Sequence, residues 1–177
     1  IRVSNKGPFE GIDLARIGTF NAEMNFWALL GDKITLKRIA LVRPYVHVKV
    51  LADGSANYDI ALADSTVADV PEPAAEESAF HMELSGFTIE GGSFIYDDST
   101  LPYYMDLHGI QLTGSGDMTL DNYILKTVLH ADTANVVFDG IQYLKNVRAD
   151  ITSDIAVDMP NMKFTFTESE ATVNQLV

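Results

Sequence analysis

Apolar side chains in this chain recur at every second position, segment after segment, and that habit restricts it to half-buried β-strands. The plainest case is Ile34 to Ile60. Leu36 follows Ile34, the phase slips once, and the pattern resumes at Ile39 and Leu41. Beyond Arg43-Pro44 it is clean, with Val46, Val48 and Val50 on one face and Tyr45, His47 and Lys49 on the other. The stretch reads as a strand, a proline-marked corner, a second strand, and an Asp53-Gly54 turn leading into Asn57-Tyr58. Antiparallel pairing is the expectation for strands of this kind.

The same period appears on both sides of that stretch. Phe20, Ala22, Met24 and Phe26 alternate with Asn21, Glu23 and Asn25, whereas Gly11 to Gly18 fits a short strand or a helical turn equally. Further on, Phe80, Met82 and Leu84 share a phase, as do Phe87 and Ile89. Gly91-Gly92 reads as a turn before a short strand at Phe94 to Tyr96. Tyr103, Met105 and Leu107 give way, after a one-residue slip at Gly109, to Ile110 and Leu112. Tyr123, Leu125, Thr127 and Leu129 mark a long strand, and Val136 to Phe138 another, closed by the hairpin signal Asp139-Gly140. Ile151, Ile155 and Val157 oppose Asp150, Thr152, Asp154 and Asp158, and Phe164 and Phe166 alternate with Lys163, Thr165 and Thr167. Beyond the first 30 residues no helical apolar stripe with caps occurs. The expected fold is mainly β, an antiparallel meander with little helix. Residues 1–61 form an N-terminal hairpin region and 80–177 a sheet region. Between them, 62–79 is a solvated acidic linker with two prolines and no aromatic residue, all within one continuous domain.

Charge excludes some partners. A net charge of −13 leaves no basic cluster for phosphate, so nucleic acid is not an expected partner, nor is electrostatic adhesion to an anionic membrane. No apolar run approaches the ~20 residues of a membrane-spanning helix. The chain has no cysteine, which removes disulfides and thiolate metal sites. It starts at Ile1 without an initiator Met or a signal-peptide pattern, and reads as a piece of something longer.

Catalytic groups are sparse. His47, His81, His108 and His130 sit on separate expected strands without metal-ligand spacing, and His47 and His81 read as exposed residues opposite the apolar positions. There is no nucleophile elbow, and Gly91-Gly92 and Gly114-Ser115-Gly116 open no phosphate-binding helix. Asp97-Asp98 offers two carboxylates, but strand neighbours point to opposite faces, so turn formation is favoured over glycoside hydrolysis. No catalytic residue, metal or cofactor is expected.

Two blocks carry a resemblance. Lys33 to Pro44, with Val46-His47-Val48 and Asp53-Gly54-Ser55-Ala56-Asn57-Tyr58 after it, resembles the strand, x-x-Pro, strand, Asp-Gly-x-x-Asn-aromatic signature of the AsmA-like family of Gram-negative envelope proteins. Phe87 to Asp97 is similar to that family's strand, Gly, aromatic-Asp block, across an acidic loop like residues 62–79. The similarity runs over about residues 19–170. The family's N-terminal membrane helix is absent, and the last 50 residues match in pattern alone.

The resemblance implies a curved, partly open sheet or sandwich with an apolar concave face. It also implies a non-enzymatic periplasmic domain, anchored to the inner membrane through a segment outside this chain. Its implied role is outer-membrane biogenesis and lipid homeostasis or transport, with phospholipid acyl chains and other envelope proteins as partners. On either reading the positions that matter are Phe20, Met24, Phe26, Val46, Val48, Val50, Leu125, Leu129, Ile155, Phe164 and Phe166, which either fill a closed core or line an open groove. The alternative is a protein- or glycan-binding β-sandwich of a surface protein. That reading needs Trp27, Tyr45, Tyr58, Tyr103 and Tyr104 gathered on one outer face.

Overall fold

The computed structural model describes residues 1–24, 34–59 and 80–174. Strands dominate, as the period-two pattern requires. β1 (Arg2–Ser4) and β2 (Asp13–Arg16) flank a single 3-10 turn at Gly7–Phe9. β3 (Thr19–Met24), β4 (Ile34–Val42) and β5 (Tyr45–Val50) follow. Five long strands complete the chain: β6 (Phe80–Asp98), β7 (Tyr103–Ser115), β8 (Asn122–Phe138), β9 (Ile141–Asp158) and β10 (Lys163–Asn174). Gly11 to Gly18 thus resolves as a strand, β2.

The ten strands of the described residues belong to one open sheet. From β6 to β10 it is an antiparallel meander, as expected. At β4 and β5 it is not. These two strands do not pair with each other as a hairpin; they run end to end, and both lie parallel to β6. A parallel pair needs a long return connection, and residues 51–79 supply the length. Parallel and antiparallel strands share the same alternation, so periodicity had no power to separate them.

Gly91-Gly92 is likewise not a turn, since β6 runs straight through it. Tyr123 to Ala131 and Val136 to Phe138 are one strand, β8. What these sites hold are β-bulges, and they line up. The β4/β5 corner has Arg43 at φ 51°, β6 has Gly91 at φ 64°, and β7 has Gly109 at φ 64°. β8 carries one extra residue against β9 between Ala131 and Ala134, and β9 one extra near Asn146, at φ 51°, with a further one between Gln142 and Leu144. Arg43 N–H donates to the Glu90 carbonyl and Ser93 N–H to that of Pro44, which sets the corner against the β6 bulge.

Together they form a transverse crease. Each extra residue would reverse the alternation if it stood alone. Placed side by side across adjacent strands, they keep the apolar residues on one side of the whole sheet. Burial puts the apolar side inside the bend: Ala131, Ala134 and Val147 are at most 2% exposed, and Ile110 and Ala149 at most 7%. Small residues occupy the inside of the bend because neighbouring side chains converge there.

The free edge of β5 is closed by its own loop. Asn57, 3% exposed, donates from Nδ2 to the His47 carbonyl at 2.7 Å and accepts from the Lys49 N–H at 2.9 Å. Its own N–H reaches the Lys49 carbonyl. Gly54, at φ 84°, and Asp53, accepting from the Ser55 N–H, make the turn that brings Asn57 back. One asparagine therefore does for β5 what a neighbouring strand would. Asn57→Ala leaves two strand groups without partners and is expected to lower stability by about 1–3 kcal/mol, read as a fall in the urea midpoint at unchanged slope.

Candidate functional site: the apolar face

Ladder partners lie on the same side of a sheet, so the registers trace rows across it. One row runs Phe20, Leu41, Ile89, Leu112, Leu129, Ile151, Ala171 from β3 to β10. Beyond the crease another runs Val3, Ala15, Val46, Phe94, Leu107, Ala134, Val147 from β1 to β9. Both are entirely apolar. At about 4.8 Å per strand each spans roughly 30 Å. The opposite face is polar, as in the row Glu90, Gln111, His130, Asp150, Thr172.

Phe20, Val46, Val48, Val50, Leu125, Leu129, Ile155, Phe164 and Phe166 all fall on the apolar face. The Met24 backbone pairs with Leu36, and Phe26 lies outside the described residues. Exposure on this face varies widely. Val50 is 8% exposed, whereas Phe20 is 50%, Phe164 54% and Phe166 68%. Strand-to-strand backbone contacts among the described residues run between hydrogen-bonded neighbours, and the central cluster of Ala134, Val147 and Ala149 is packed by Leu107, Leu144 and Val173 of the same sheet. Among the described residues the apolar face is therefore an open trough rather than a closed core.

One polar belt crosses the trough, which the sequence reading missed. Gly114, Thr127, Ser153 and Ser169 occupy a single row. Thr127 Oγ1 donates to the Ser153 carbonyl at 3.0 Å, and the Ser153 and Ser169 hydroxyls meet at 2.7 Å. Phe87 covers Gly114 so closely that an added Cβ would stand 2.3 Å from its ring. A hollow of about 420 Å³ at the β8–β10 end is lined chiefly from the polar side, by Ile124, Ala156, Asp158, Lys163 and Thr165, and holds no catalytic grouping.

The aromatic candidates do not gather. Tyr45 and Tyr104 lie on the polar face, Tyr103 on the apolar one against Tyr96 and Phe138, and Tyr58 in the loop after β5. Trp27 lies outside the described residues. Nor is His47 simply exposed. It is half-buried, burial holds its pKa below the usual histidine value, and its Nε2 has no partner among the described residues. No group of three or more metal-ligating side chains converges among the described residues.

Asp97 and Asp98 point to opposite faces, as strand neighbours must. Asp97 pairs with Lys49. Asp98, 5% exposed, caps the β6–β7 turn, accepting from the Thr100 hydroxyl and N–H, the Leu101 N–H and the Tyr96 hydroxyl. The Thr100 hydroxyl bond is the main cause that holds its pKa below 3.8. A depressed carboxylate stabilises the fold above its unfolded pKa, and that contribution is lost as pH falls through the folded value. Asp98→Asn is therefore expected to lower the urea midpoint at neutral pH, with its deficit against the parent shrinking below about pH 3.8.

No family model matches the chain, and no curated protein or solved structure is similar to it at a significant level.

Proposed function

We propose that this domain is a non-enzymatic segment of an AsmA-like periplasmic envelope protein whose apolar trough holds acyl chains of phospholipid. The observation that carries the reading is the pair of uninterrupted apolar rows on an open, concave face, with large side chains exposed at its margin. A closed domain hides such residues. A surface that shelters hydrocarbon presents them, because each buried methylene of a chain gains about 0.8 kcal/mol on leaving water. The two sequence blocks add support: Pro44 marks the corner that sits on the crease, and Asn57 seals the edge of β5. In the whole protein the domain would act as one stretch of a groove in outer-membrane lipid homeostasis, anchored through parts outside this chain.

Phe164 and Phe166 provide the test, since at 54% and 68% exposure they contribute little to folding. The double variant Phe164→Glu, Phe166→Glu is expected to keep its unfolding free energy within about 1 kcal/mol of the parent's. Its uptake of fluorescently labelled phosphatidylethanolamine should fall at least several-fold. Absence of uptake by the parent, or equal uptake by the variant, would count against acyl-chain binding at this face.

A further inference from the structure

We propose that the crease is a pH-sensitive hinge, latched by His130 when its imidazole carries both protons. The inference rests on the crease alone and stands or falls apart from lipid binding. Asp132 occupies the extra-residue stretch of β8 that forms the crease. Its carboxylate lies over Gly109, the bulge of β7, so closely that a Cβ there would stand 2.1 Å from Oδ2. His130, two residues earlier on the polar face, reaches Asp132 Oδ1 with Nε2 at 3.2 Å and Asp150 Oδ1 of β9 with Nδ1 at 2.6 Å.

Carboxylates only accept hydrogen bonds, so both contacts require an N–H, and only the imidazolium has two. In that state one ring ties β8 to β9 and fixes the carboxylate that seats the β7 bulge. A neutral ring keeps one N–H and turns a lone pair toward the other carboxylate. One tie then becomes a repulsion at the line where the sheet bends.

The surroundings favour the charged form. Besides Asp132 on its own strand, His130 faces Asp150 and Arg148 of β9, and neutral Gln111 of β7 with Glu90 beyond it. His108 lies across from Thr133 and has Asp106 as its own partner at 3.5 Å. The Asp150 and then the Asp132 hydrogen bonds raise the His130 pKa above 6.5 against the opposition of burial and, less, of Arg148. A raised histidine pKa means that the latch is complete below the unfolded value and is lost as pH climbs through the folded one.

The absence of cysteine makes the test clean. Thr152→Cys and Gln142→Cys place one spin label on β9 on each side of the crease, at exposed positions about 30 Å apart. Pulsed electron–electron distance measurements on the whole chain, from about pH 5.5 to about pH 9, should give a narrow distribution at low pH. With rising pH it should broaden and its mean should shift. His130→Gln should show the high-pH distribution throughout, and Asp132→Asn, which keeps the ring but removes one tie, should lose most of the shift. A parent distribution that ignores pH, or a pH shift that survives in either variant, would overturn the hinge.

Discussion

Everything in this molecule depends on ladder partners sharing a face. Along the two long rows each apolar residue is opposed by another apolar residue, and one of these rows passes from β3 to β10 without a break. A register error of one residue in any strand would set a polar row into the trough. The bulges along the crease look at first like such errors. Aligned, they cancel, and the result is a bend with the apolar side inside it.

The crease also explains how a single layer holds together. A flat sheet with one apolar face bare to water gains little from that face. Bending packs Ala134, Val147 and Ala149 of β8 and β9 against Leu107, Leu144 and Val173, so this centre is dry while Phe20, Phe164 and Phe166 stay exposed. Cross-strand ion pairs on the outer face, Lys126 with Asp154 at 2.7 Å among them, add specificity of register more than energy. Asn57 and Asp98 settle the ends: Asn57 takes the place of a neighbouring strand beside β5, and Asp98 satisfies the Thr100 and Leu101 N–H groups of the β6–β7 turn.

Much of this was legible in the residues. The alternation of Val46, Val48 and Val50, the slip at Gly109, the corner at Pro44 and the Asp139-Gly140 hairpin, at φ 50° and 74°, all stand where the pattern put them. Other features were not legible, for identifiable reasons. Two glycines in a row fit a turn and a bulge alike, and only the partner strand decides between them. Parallel pairing of β4 and β5 with β6 leaves no local mark. Asp150 and Asp154 show in the sequence only as polar partners of the alternation, and it is β8 that sets His130 and Lys126 beside them. The hydroxyl row of Thr127, Ser153 and Ser169 was hidden because it draws on three strands far apart in sequence.

The trough is the central claim, and the most direct measurement of it is native mass spectrometry of the gently purified domain, with extraction of whatever is released on unfolding. Phospholipid in stoichiometric amount, bound to the folded chain and lost with the fold, is the expected result. A clean protein mass, unchanged after incubation with phospholipid, would contradict it and leave the open face without the occupant proposed here.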